Sequence, residues 1–357
     1  MQTIHLAPVA IPFSIIFCCN SSAVNSCKAR PPLLKLSPGV GRSLAKQPSL
    51  PQLGVEQNPG QPEPPALRTR VRKWLPKQIK LFADGAIFSQ LMQLQDPYLD
   101  GHEGEWIAKP EEYKAAFKRY WEADYQIHAH VNGDEGLRMV IETLAENMKT
   151  YPRQDHRFTV VHFAVSTEEQ VKALKELGAI VSANPYYVTA LADKYSKEGL
   201  GPTRAQNMVR LGSVAEAGMA IGLHSDMPMA PADMLFLAWC AVNRMTPENI
   251  YGIATHQCIS IERALSAVTI EAAYFMGLDD EIGSIKPQKK ANFAILEEDP
   301  LQTKNNKLKD IPIWGCVFEG EVKEYPLQQR TESEPVTAIA GSDLKKLNLA
   351  QMAASRG

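Results

Sequence analysis

Cysteine is sparse in this chain and poorly spaced for chemistry. Its six thiols, Cys18, Cys19, Cys27, Cys240, Cys258 and Cys316, include no CxxC pair. The spacing therefore offers neither a zinc knuckle nor a disulfide framework, and reduced thiols are the expected state. The apolar stretch 7–19 falls short of the about 20 residues that a membrane-spanning helix needs. The segment ahead of it, MQTIHL, lacks the positive charge of a secretory signal. Strong net charge is also missing: the balance is −2. Acids are nearly absent from residues 1–80, which hold 11 Lys/Arg against 2 Asp/Glu, whereas the remainder holds 27 against 38.

That basic N-terminal stretch is poor in pattern as well. Nine prolines fall between Pro31 and Pro65 with no helical or strand period, a tail or linker composition. An organelle transit segment, a disordered tail and a misassigned start of the gene all stay open. The compartment is expected to be cytoplasmic, with organelle targeting and secretion open. The tail lacks the interleaved aromatics of a base-stacking surface and any amphipathic period, so neither nucleic acid nor membrane is an expected partner.

From Lys77 onward the pattern alternates. Strands are expected at Ile79–Phe82, Ile127–Val131, Phe158–Phe163, Ala179–Ala183 and Met219–Leu223. Helices are expected at Glu111–Glu122, Asp134–Lys149, Ser166 to Gly178, Arg204–Ala217, Pro231–Val242 and Ile261–Phe275. Ser166 with Glu169 reads as the capping box of the third helix. Alternation of this kind implies an α/β fold with parallel strands. After residue 280, Gly283–Ile285, Asn292–Leu296 and Ile313–Phe318 read as short strands of a small β element. The expected domains are a tail at 1–76, an α/β portion at 77–280, the β element at 281–326 and a C-terminal tail at 327–357. A frayed helix is expected near Leu344–Ala353.

Several of these strands end in metal-ligating side chains. Gln126–Asp134 (QIHAHVNGD) ends a strand in imidazoles and breaks at Gly133 into a helix. Val160-Val161-His162 and the run Ile221 to Asp226 (IGLHSD) follow the same plan. In a (β/α) barrel the active face lies at the strand C-termini. Neutral imidazole is a good zinc donor. His128 and His130 are two residues apart, so they share a strand face. Plainer readings stand beside each residue: His162 as a core histidine, Asp226 as the cap of the following helix, Lys80 as an ordinary strand lysine, and His128 and His224 as packing.

Five blocks together carry a resemblance: IKLFADGAIFS, HAHVNGDEG, TVVHF, LHSDMPMAP and IGSIKPQKKANFAILEEDPL. From about Ile79 to Tyr325 the chain resembles the amidohydrolase superfamily in its family-3 branch, the formamide-deformylase-like enzymes. The resemblance implies a partial TIM-type (β/α) barrel, strands four to eight, followed by a small β element. It also implies a divalent metal, zinc first, with iron, nickel and manganese open. By the same resemblance Lys80 is the strand-four lysine, which becomes a ligand only as an anionic carbamate. His130 and His162 are the strand-five and strand-six ligands. Asp226 is the strand-eight ligand and general base.

The implied activity is hydrolysis of non-peptide carbon–nitrogen bonds, of amide or formamide type, on a small-molecule substrate; a homo-oligomer stays open. Two departures from the family pattern stand out. No HxH pair precedes Lys80, where His5 is the lone histidine. The usual Pro-Gly-Lys-x-Ala-Asp reads Pro287-Gln288-Lys289-Lys290-Ala291-Asn292. A truncated, catalytically inactive homologue is the alternative. The stretch Asn184–Gln206, with Tyr186, Tyr187 and Arg204, is expected to form part of a substrate wall.

Overall fold

The structure, a computed structural model, describes residues 77–325, which lie within one compact unit. The expected N-terminal tail and the helix near Leu344–Ala353 lie outside the described residues. Among those described, a parallel sheet runs in chain order through β1 (Gln78–Phe82), β2 (Gln126–Val131), β3 (Thr159–His162), β4 (Ile180–Ala183) and β5 (Ile221–Leu223). Parallel neighbours need crossover connections. Helices supply them: α1 (Pro110–Glu122), α2 (Asp134–Thr150), α3 (Glu168–Glu176), α4 (Tyr186–Glu198), α5 (Pro202–Gln206) and α6 (Leu211–Glu216). β1 and β5 are the two edges of this sheet, so the described residues form an open sheet and not a closed barrel.

Strands β2 to β5 are buried along their whole length, as expected of parallel strands covered on both faces. The register sets Lys80 beside His128, His130 beside Val161, Val161 beside Ser182, and Ser182 beside Gly222. One face therefore collects the polar side chains. The alternate residues Ile127, Ala129, Val160, Val181 and Ile221 share the main core with Phe117, Trp121, Leu144 and Leu174 of the helices. Each such large apolar side chain contributes roughly 1.5–3 kcal/mol by burial.

After β5 three further helices follow, and Phe275 of the last of them lines the polar face. α7 (Met234–Asn243) is followed by α8 (Ile261–Ala267) and α9 (Ile270–Phe275). Ala272, Phe275 and Met276 pack with Ile180 in a second apolar cluster. Glu271 accepts a hydrogen bond from the Ile221 N–H at 2.6 Å, which occupies a donor on the β5 edge that could otherwise recruit another strand. At Gly222 the backbone of β5 lies hard against Phe275 of α9. A Cβ there would lie 2.2 Å from the Phe275 ring, and Phe275 is buried. We expect Gly222→Ala to cost about 1–3 kcal/mol by overpacking, measured by chemical denaturation; a neutral result would mean that α9 is loosely seated.

Four sequence expectations are corrected. The capping box of α3 is Thr167 with Gln170, not Ser166 with Glu169, because the chain turns helical one residue later. The expected helix Arg204–Ala217 is two short helices, α5 and α6. Between them Arg244 draws the carbonyls of Gln206, Met208 and Val209 away from helical bonding. The expected helix Ile261–Phe275 divides at Thr269, whose hydroxyl donates to the Leu265 carbonyl at 2.6 Å. Gly283–Ile285 is not a strand. Gly283 has φ +87°, and a Cβ on it would lie 2.7 Å from that of Ala273, so this segment is a turn pressed against α9.

The β element is an antiparallel sheet of β6 (Phe293–Leu296), β7 (Ile313–Phe318) and β8 (Glu321–Glu324). It is tied to α7 and is not a separate body. Trp239 Nε1 donates to the Asn306 carbonyl at 3.0 Å and Asn243 Nδ2 to that of Asn305 at 3.0 Å. No helix of the described residues is long and apolar enough to cross a membrane. Cys240, Cys258 and Cys316 are free thiols.

Candidate active site

The polar face opens at the strand C-termini onto a cavity of about 40 Å³, lined among others by Lys80, His128, His162, Ser182, His224 and Asp226. That is room for water or an ion. Of the four residues implied by the resemblance, Lys80, His162 and Asp226 line the cavity. His130 stands beside it, its ring centroid 4.3 Å from that of His162.

His162 reaches the cavity against strand alternation. By parity with Val160 it would face the helices. Its φ is +82°, and Phe163 follows at +53°. A non-glycine residue held in this region costs about 1–3 kcal/mol, a signature of sites where geometry serves function. The ring is buried. Around its Nδ1 lie the Tyr187 hydroxyl at 3.1 Å, His224 Nε2 at 3.2 Å and an Asp226 carboxylate oxygen at 3.9 Å. Its Nε2 is buried and makes no hydrogen bond.

Asp226 also has a positive φ, +52°, and its side chain is 40% exposed. It does not cap the following helix: Asp233 does, accepting from the Phe236 N–H at 3.0 Å. His130 Nε2 is 3.2 Å from Asn132 Nδ2, which also donates to the Gly85 carbonyl at 3.1 Å. Asn132 thus sits directly behind His130. His128 packs edge-on against Phe275.

The electrostatics follow from burial. Desolvation, aided by the Lys80 charge, pushes His130 down to about 3, His224 to about 3 and His128 to about 4. Burial also holds His162 well below the ordinary imidazole range. All four imidazoles are neutral at pH 7, so their nitrogen lone pairs can bind a cation. Lys80 is lowered by burial while Asp226 pulls it up. Asp226 is raised by burial, opposed by Lys80.

The donor set suits a divalent metal in kind: neutral imidazoles, a carboxylate, and a buried ring nitrogen with no partner. It does not form a finished shell, since among the described residues no three His, Cys, Asp or Glu side chains converge to hold an ion. The expected four-residue ligand set is therefore gathered around one cavity without being closed on a point. His130 is engaged by Asn132, and His162 turns Nδ1, not Nε2, toward Asp226.

Of the expected substrate wall, Tyr187 reaches the site. Tyr186 packs on Phe236. Arg204 spends its guanidinium on the carbonyls of Leu200, Asp96 and Pro97. Sequence reasoning missed Ser182 and undervalued His224, which it read as packing. The signal for Ser182 was present: it is the polar residue of an otherwise apolar strand, on the Lys80–His128 face.

Fold and site together define an α/β protein whose polar cleft lies at the carboxyl ends of parallel strands, where such folds hold their ligands. The chain belongs to the amidohydrolase family, whose sequence model matches residues 63–323. It is 27% identical over 221 residues to the Protein LONG AFTER FAR-RED 3 of Arabidopsis thaliana, covering 61% of this chain and 38% of that protein. It is 23% identical over 186 residues to the N-substituted formamide deformylase of Arthrobacter pascens, covering 51% and 34%. Among solved structures it is similar to an uncharacterized metal-dependent hydrolase from Pyrococcus horikoshii, with TM-score 0.55 and 25% identity, covering 64% of this chain and 45% of that one. The chain thus spans between a third and a half of the length of these relatives.

Proposed function

We propose that this chain carries the strand-four-to-eight portion of a TIM-type barrel in a metal-dependent hydrolase of non-peptide carbon–nitrogen bonds, with amide or formamide substrates. The observation that carries the reading is the gathering of His130, His162 and Asp226 at the C-termini of parallel strands, with His162 Nε2 buried and unpartnered. Likeness to a formamide deformylase and to a metal-dependent hydrolase supports the substrate class and the metal. His130, His162 and Asp226 would hold the ion, zinc by donor type, with Lys80 joining as a carbamate. When bound, the metal supplies a water of lowered pKa and polarises the scissile carbonyl.

The chain's own groups would do the rest. Asp226, raised by burial yet open to solvent, takes a proton from the attacking water onto its carboxylate and returns it to the leaving nitrogen. Tyr187, its hydroxyl 3.1 Å from His162 Nδ1, would hold that ring in place, and Phe275 lines the cavity as an apolar wall.

The test is metal content of the purified full chain beside a His130→Ala/His162→Ala variant. We expect about one zinc per chain, lost in the variant, and release of amine from formamides by the loaded wild type only. A folded wild-type chain without metal overturns the reading.

A further inference from the structure

We propose that His102 is a doubly protonated clasp that fastens the segment 86–105 beside the strand ends and releases it as pH rises. The segment leaves β1 at the end where the polar cavity opens and leads toward α1. None of its groups is a candidate ligand of the cavity.

The segment closes on itself as a loop. At its neck the Glu105 N–H donates to the Leu91 carbonyl at 3.0 Å, and the Gly85 N–H donates to the Glu105 carbonyl at 3.0 Å. His102 joins the two arms. Its ring Nε2 lies 2.8 Å from the Gln90 carbonyl oxygen, and its Nδ1 lies 2.5 Å from Asp100 Oδ1. Tyr98 lies flat against the ring, with centroids 4.2 Å apart and planes 8° apart. Tyr98 is itself buried, and its hydroxyl accepts the Met92 N–H at 3.0 Å.

Both partners of the His102 ring are acceptors. A carbonyl oxygen has no proton to give. Asp100 is held ionised, because the backbone N–H and the ring of His102 both lower its pKa. Neutral imidazole carries a single N–H, so it serves one partner and turns a lone pair on the other. Imidazolium serves both, and the flat Tyr98 face favours the cation. Partial burial lowers the pKa of His102, but the Gln90 carbonyl and the Asp100 carboxylate outweigh it and hold the ring above the ordinary 6.5. Among the described residues, Asp100 is the charge that acts on His102. Asp84 and Arg204 of α5 act on Tyr98, and the Arg204 guanidinium is bound to the Asp96 and Pro97 carbonyls.

The clasped segment is tied to the frame of the candidate site on two sides. The Gln93 N–H donates to Asp84 at 3.0 Å, and the Gln93 carbonyl accepts the N–H groups of Glu135 at 3.1 Å and Gly136 at 3.2 Å. These lie in the first turn of α2, just beyond Asn132. On the other side the Leu99 N–H donates to the Gly199 carbonyl at 2.9 Å, at the end of α4, whose first turn carries Tyr187. The fold raises the pKa of His102, so the clasp is fully made below about 6.5 and is lost as pH rises through the folded value. Loss of the proton leaves one of the two bonds and frees one arm.

The full chain, labelled with nitrogen-15 in its histidine rings, reads the clasp directly. The His102 signals are those lost in His102→Gln. We expect both ring nitrogens to be protonated at pH 6, a titration midpoint above the ordinary 6.5, and a lower midpoint in Asp100→Asn. Amide hydrogen exchange over residues 90–102 reads the segment. Glutamine keeps a donor at every pH, as the neutral ring does. His102→Gln should therefore exchange about three- to tenfold faster than wild type at pH 6, and at the wild-type rate at pH 9. Comparing the two chains at equal pH cancels the base catalysis of exchange itself.

A wild-type midpoint at or below 6.5 overturns the proposal, and so does a ratio of exchange rates that is the same at pH 6 and pH 9. The wild-type titration decides even if His102→Gln is unstable.

Discussion

Acidifying the metal-free chain from pH 7.5 to 5.5 should cost at least about 2 kcal/mol of stability. The cause is the four imidazoles packed around one cavity. Burial holds His128 near 4, His130 and His224 near 3, and His162 lower than its ordinary value. In the unfolded chain each would titrate near 6.5. Between these limits the unfolded state binds more protons than the fold, so stability rises with pH and is lost as pH falls through about 6.5. His128, His130 and His224 contribute about 1.4 kcal/mol each over this interval, about 4 in all, and His162 adds to the loss in the same direction. Asp84 works the other way. Burial raises it to about 7, although the backbone N–H groups of Asn132, Gly133, Gln93 and Asp84 itself lower it. The fold therefore gains a proton there that the unfolded chain does not, which offsets about 2 kcal/mol. A net loss of at least about 2 kcal/mol follows, read from urea unfolding at the two pH values. His128→Asn should shrink that loss by about 1.4 kcal/mol. A pH-independent wild type would show that the cluster is not desolvated as described.

Much of this site was legible because it rests on strand ends. The runs IHAHV and IGLH declare short buried strands, and Gly133 and Ser225 mark where each one stops. What periodicity could not show was the turning of His162 into the cavity. Alternation assigns it to the Val160 face, and only the positive φ at His162 and Phe163 overrules that parity. Helix boundaries failed where a distant residue intervened. Arg244 collects carbonyls from Gln206, Met208 and Val209, some 35 to 38 residues away in sequence, and so divides α5 from α6. α4 is a different kind of miss. Tyr187, Val188, Leu191, Ala192 and Tyr195 are buried at helical spacing, and Pro185 precedes them as a helix opener, yet the sequence reading gives this stretch only a place in the substrate wall and no helix.

The polar strand ends also depend on a carboxyl group whose hydrogen bonds go to backbone N–H groups and not to a candidate ligand's side chain. Asp84, at the end of the first strand–turn unit, is fully buried. Its Oδ1 accepts the Asn132 N–H at 2.9 Å, and its Oδ2 accepts those of Gly133 at 2.8 Å and Gln93 at 3.0 Å. These donors flank the start of α2, where a carboxylate is also favoured by the helix dipole. Gly136 leaves the room: a Cβ there would lie 3.0 Å from the carboxyl. Asp84→Ala leaves three backbone donors without acceptors in a dry site, at about 1–3 kcal/mol each. Asp84→Asn keeps one oxygen, which can serve Gly133 and Gln93, and sets an amide N–H against that of Asn132. The expected order of stability is therefore wild type, then Asn, then Ala, with Ala at least about 3 kcal/mol below wild type. Because Asn132 is also the residue behind His130, Asp84→Asn should, on the proposed reading of His130 as a ligand, weaken metal binding more than its effect on global stability predicts, through a misplaced His130. Equal stability of Asn and Ala would mean that the three donors find water instead, and that β2 and α2 are joined by packing alone.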